Sequence, residues 1–173
     1  MNKRLLLLVF PLMFAMQACQ IRLSGASIPP EMKTINVKFF ENDAQLVVST
    51  LSQSFTEALK DRIRTQTKLS IVRGEAHAIM EGTITGYTIA PVAIQASADG
   101  KAPVAGQTRL TITVSVTYTA TYPNADKKND FSNASFSRFK DFTGDISSQE
   151  QSLIQDINKQ LTEDIFNKAF ANW

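Results

Sequence analysis

The chain has 173 residues, with 18 Lys+Arg against 16 Asp+Glu, one His and one Cys. That length holds one domain with or without an export segment, and 43% hydrophobic with 20% charged residues excludes a disordered chain. Lys3 and Arg4 fall in a predicted signal peptide, so the remainder carries sixteen charges of each sign and no nucleic-acid footprint.

Met1–Arg4 is a short cationic start, and Leu5–Met16 then runs apolar for twelve residues with Pro11 inside. Crossing a bilayer takes about 20 such residues, so residues 1–18 read as a signal peptide. Behind them stands Met16-Gln17-Ala18-Cys19. A small residue directly before the single Cys resembles a bacterial lipobox, with Met16 for the commoner Leu and Gln17 for the commoner small residue. The resemblance implies cleavage between Ala18 and Cys19 and acylation of the Cys19 thiol by palmitate-type chains; the plain alternative is an unmodified thiol. One acyl chain anchors marginally, at ~0.8 kcal/mol per buried CH₂, whereas two or more hold stably. Residues 19–30 are therefore expected to be a lipidated N-terminus and tether, and residues 31–173 a single domain. Gln20–Pro30 spans up to about 35 Å at ~3.3 Å per residue.

Within the domain, Lys33–Phe40 alternates Ile35, Val37 and Phe39 against polar neighbours and is predicted as a strand. Leu51, Phe55, Leu59 and Ile63 recur every four residues, which predicts an amphipathic helix with Thr50 and Gln53 as a capping box. Lys68–Arg73 reads as a short strand ended by Gly74. Ile79–Ile94 is a longer one, with bends or bulges at Gly82 and Gly86. Ala96–Gly106 is a loop rich in Ala, Gly and Pro that joins two extended segments. Arg109–Tyr122 has the clearest pattern: Leu110, Ile112, Val114, Val116 and Tyr118 on one face, and Thr111, Thr113, Ser115, Thr117 and Thr119 on the other. Strict period 2 means one buried face and one wet face. After the polar turn Pro123–Asn129 comes a strand over Asn133–Phe142. A last helix is predicted over Ser147–Ala171, with Ser147 and Glu150 spaced as a capping box and Leu153, Ile154, Ile157, Leu161, Ile165 and Phe166 as its stripe.

The order is thus β-α-β-β-β-β-α. A one-faced sheet and two striped helices cover each other in a two-layer α+β sandwich, mainly antiparallel, with four or five strands. Burying the six side chains of the last stripe contributes on the order of 9–18 kcal/mol, so that helix is expected to dock on the sheet.

No catalytic constellation is visible. The single His77 has no partner motif, the carboxylates are scattered as solvated or paired charges, and the isolated glycines read as turns. One His and one Cys leave no zinc set and no intrachain disulfide. The chain is therefore expected not to be an enzyme and to need no cofactor and no metal.

Gly25–Lys60, Glu81–Ala96, Arg109–Thr117, Phe136–Phe142 and Gln160–Trp173 resemble the LptE family in its Bacteroidetes-type form. The resemblance covers nearly all of the mature chain. It implies a sheet covered by two helices, and an outer-membrane lipoprotein of lipopolysaccharide assembly. Such a protein faces the periplasm or sits as a plug in the lumen of an LptD-like β-barrel, and binds the glycolipid. No contact residue carries over by motif. From another class, a periplasmic lipoprotein that pilots or chaperones a different outer-membrane complex fits the same anchor and domain. A cell-surface enzyme or glycan binder fits less well, because the sole Trp is the terminal residue.

One glycolipid contact is suggested by strand parity alone. Phe136, Arg138, Lys140 and Phe142 share a face, with Arg138 and Lys140 about 7 Å apart at ~3.4 Å per residue. Two cations between two Phe rings suit a phosphorylated head with acyl chains. The competing expectation is charge protection of an edge strand.

Overall fold

The computed structural model describes residues 28–46, 48–92 and 106–171. In chain order these form β1 (Thr34–Val37), β2 (Glu41–Asn42), α1 (Leu51–Gln66), β3 (Ser70–Ile71), β4 (Ala78–Pro91), β5 (Thr108–Ala120), β6 (Phe131–Phe142) and α2 (Glu150–Phe170), with single 3₁₀ turns before β6 and before α2. The fold is α+β, as the periodicity predicts. Its sheet has six strands in the order β3-β1-β4-β5-β6, with β2 also pairing β4.

The long strands make an antiparallel meander, β4-β5-β6, while β1 and β2 pair with β4 in parallel and β1 pairs with β3 in parallel. Parallel neighbours need a crossover, and α1 supplies it between the β1–β2 segment and β3. Leu51, Phe55, Leu59 and Ile63 are completely buried on that helix, and the predicted stripe of α2 is buried together with Ala169 and Phe170. Both helices share one core cluster with Leu110, Ile112, Val114 and Val116 of β5, each without exposed surface. The opposite face of the sheet has no helix over it among the described residues.

Three irregularities set which side chains point where. Between Val37↔Met80 and Glu41↔Thr83 the β1–β2 segment carries one residue more than β4. Parity inverts there, so Phe40 is fully buried and Phe39 is 58% exposed, the reverse of the simple alternation. Phe40 packs edge-on to Phe55 at 5.1 Å and lies against Gly82, where a Cβ would come within 2.7 Å of its ring and 2.0 Å of the Ser115 carbonyl oxygen. The extra residue Thr85 bulges β4 beside Gly86. A further register shift lies between Val116 and Tyr118, where Asn133 on β6 takes φ +49°, a left-handed value that Asn tolerates better than most residues. That bulge lets β6 begin at Phe131 rather than at Asn133.

Neither predicted capping box forms. Thr50 has helical dihedrals and makes no side-chain cap bond. Asp145 accepts from the Ser147 N–H and caps the 3₁₀ turn instead, so α2 begins at Glu150 without a side-chain cap from Gln149. Asp145 wins because an Asp carboxylate readily accepts from the backbone N–H two residues on and closes the turn there.

Candidate functional site

Three surfaces concentrate polar chemistry. The first is the seam between β6 and α2. Arg138 and Lys140 do share the helix-side face of β6, opposite Ile112 and Leu110. The Arg138 guanidinium forks onto Asp164 of α2, with Nε to Oδ2 at 2.5 Å and Nη2 to Oδ1 at 2.7 Å, and Lys140 Nζ donates to Asp156 at 2.9 Å. The hydrogen bond to Asp164 holds the Arg138 pKa above its ordinary value. The flanking rings are turned to other work: Phe142 is buried and Phe136 packs against the core and Phe131. The pair thus clamps the sheet edge to the helix, a role the single-strand reading did not contain because both carboxylates come from a later element.

The second surface is the uncovered face of the sheet. The alternate positions of β5, from Thr111 to Thr119, present hydroxyls there, and Thr113 Oγ1 meets Ser137 Oγ of β6 at 3.0 Å. Two ion pairs lie on it. Lys38 Nζ donates to Glu81 at 2.5 Å, and Arg109 forks onto Asp141 at 2.7 and 2.9 Å. The Arg109 guanidinium also lies 3.7 Å over the Phe139 ring, which is 48% exposed. The Arg109 hydrogen bond holds the Asp141 carboxyl below its usual range. A depressed carboxyl adds stability above its unfolded pKa of about 3.9, and that increment is lost as pH falls through its folded value. In sequence, Phe139 and Asp141 are simply the alternates of Arg138 and Lys140; only cross-strand register brings Arg109 to them.

The third surface is a groove of about 430 Å³ between the outer sides of α1 and α2. Arg62 bridges it, donating from Nε to Thr162 and from Nη2 to the Lys159 carbonyl. Asn158, 2% exposed, donates to Ser54 Oγ and leaves its Oδ1 without a protein partner.

His77 is structural: its Nδ1 accepts from the Lys33 N–H and its own N–H donates to Thr34. Among the described residues no three His, Cys, Asp or Glu gather into a possible metal site. Ala18, Cys19 and the tether up to residue 27 lie outside the described residues, as does most of the loop Ala96–Gly106.

The described residues thus form a two-layer α+β domain with one open hydroxyl face and ion-paired seams. Its family is shown directly: the model described as "LptE: Lipopolysaccharide-assembly" matches residues 32–169, and the chain belongs to that family. By that description the family acts in lipopolysaccharide assembly. Solved structures with the same fold include an uncharacterized lipoprotein B from Nitrosomonas europaea, at 12% identity, covering 86% of this chain and 88% of that one with a TM-score of 0.53. A hypothetical protein from Chlamydia trachomatis is 10% identical, with 82% and 99% covered and a TM-score of 0.52. No curated protein matches the sequence.

Proposed function

We propose that this chain is an outer-membrane lipoprotein, held by acylated Cys19, that plugs and helps assemble an LptD-like β-barrel delivering lipopolysaccharide to the outer leaflet. The family match over residues 32–169 carries the reading. Two physical observations agree with it. No helix among the described residues is long and apolar enough to cross a membrane, so a lipid on Cys19 would supply the attachment. The open sheet face is rich in hydroxyls and carries two ion pairs, which suits contact with the polar inner wall of a barrel. Arg138 and Lys140 enter as glycolipid contacts by exchanging Asp164 and Asp156 for phosphate, one charge-assisted bond for another.

The test is affinity purification of the tagged full-length protein from detergent-solubilised outer membranes, with mass spectrometry of what remains bound. An LptD-like barrel at near one-to-one ratio is expected, with lipopolysaccharide. A secretin-type ring in its place would make the protein a pilot for another complex.

A further inference from the structure

The sheet protects its edges unequally. β6, one outer strand, carries Arg138, Lys140 and Asp141, and β3, the other, is two residues long. Both are ordinary defences against unwanted strand pairing. A third edge lies inside the strand order. β4 pairs with β5 over its whole length, but on its other side β1 and β2 reach only Ile79–Met80 and Thr83–Ile84. From Gly86 to Pro91 that side has no strand against it among the described residues. The segment reads Gly-Tyr-Thr-Ile-Ala-Pro, without a charge, and Thr88 to Pro91 are exposed, Ile89 by 39%.

Hydrogen-bond parity shows what this edge offers. The Val92 N–H donates to the Gln107 carbonyl, so with Pro91 opposite Thr108 the residues bonding toward β5 are Val92, Ala90, Thr88 and Gly86. Tyr87, Ile89 and Pro91 therefore turn their main-chain groups outward. Before the bulge the even residues face out: the carbonyls of Met80 and Ile84 accept from Lys38 and Asp43. Thr85 switches the parity. Pro91, which has no N–H, stands where its missing donor costs β5 nothing, the edge placement expected of proline.

We infer that the outer edge of β4 over Tyr87–Pro91 is a strand-addition site that takes an extended, uncharged segment of the β-barrel partner. This rests on the partnership proposed above. Main-chain bonds at Tyr87 and Ile89 would hold the segment, the mode by which peptides extend an exposed sheet edge. A charged segment would find no counter-charge on Gly86–Pro91. A second copy pairing the same edge would bring six residues a side, where stable interfaces engage about 20–30. A closed barrel wall leaves no edge unpaired, so the occupant is a loop or chain terminus of the barrel protein outside that wall.

The experiment co-expresses the full-length lipoprotein with the barrel and places a photo-reactive residue at Thr88. A crosslink to the barrel is expected. Ile89→Pro removes one outward donor and leaves the β5 ladder intact, and should lower co-purified barrel about tenfold, whereas Ile89→Val should not. Circular dichroism checks folding; if Ile89→Pro unfolds, Thr88→Lys with Ala90→Lys charges the edge without touching the ladder and should give the same loss. Crosslinks only to a second copy or within the chain, or undiminished barrel recovery from folded edge variants, would overturn the inference and leave the barrel partnership standing. No barrel with the wild-type protein would overturn both.

Discussion

Arg138 and Lys140 stand on β6 while Asp164 and Asp156 stand on α2, so reversing the strand charges alone sets carboxylates against carboxylates. Arg138→Glu with Lys140→Glu is therefore expected to lower Tm, and adding Asp156→Lys with Asp164→Lys to restore it. Melts without that rescue would mean that the ion pairs do not hold strand to helix. A neutral set, Arg138→Gln and Lys140→Gln with Asp156→Asn and Asp164→Asn, isolates the glycolipid question, because it removes the cations without leaving carboxylates unpaired. Lipopolysaccharide binding should fall at least about tenfold if these cations contact phosphate; unchanged binding leaves them as clamps. Phe39 and Phe40 carry the same lesson at one residue's remove. Each is as apolar as the other, and the extra residue between β1 and β2, absent from any local pattern, decides that Phe40 is buried and Phe39 exposed.

β5 is the element whose sequence states its environment most completely. Its even positions from Leu110 to Tyr118 are buried and its odd positions partly exposed, as the alternation predicts. Val114→Asp would bury an unpaired charge among α2 and the neighbouring strands, a loss of about 3–5 kcal/mol out of the roughly 5–15 kcal/mol that holds an ordinary domain folded. Thr113→Asp gives up one hydroxyl contact with Ser137 and is expected to cost within about 1 kcal/mol. Urea titrations followed by circular dichroism separate the two, and equal losses would mean that the open face is covered. Both amphipathic helices were equally legible, because an apolar side chain every third or fourth position has no other stable placement. Their N-termini were not. A capping box needs Thr50 or Ser147 in extended backbone; the first is helical and the second is drawn into the 3₁₀ turn capped by Asp145.

For the whole molecule, the anchor and the domain are separable proposals. Cys19→Ala should leave uncleaved precursor or release the protein from the outer membrane, while the purified domain melts as before. Normal membrane fractionation with unchanged migration would remove the lipid from the account. The architecture accommodates such a tether. Met32 at the start of the domain is buried against Tyr118, whose hydroxyl donates to its sulfur, and Tyr118 packs on Phe170. The chain thus enters beside the end of α2, at the end of the sheet away from Pro91 and Thr108.

What the sequence determined by itself is what short-range periodicity can encode. It shows two striped helices, one strand with strict alternation, an α+β order, and a resemblance strong enough to name the family that the comparison then showed. Tertiary structure alone decided the rest. The parallel pairing of β1 with β3 and β4 depends on where α1 returns the chain. The bulges at Thr85 and Asn133 reset which residues face outward. The partners of Arg109, Arg138 and Lys140 lie from 16 to 32 residues away. Local pattern fixes which side chains seek burial; register and crossover, set by the packing of the whole core, fix which of them meet.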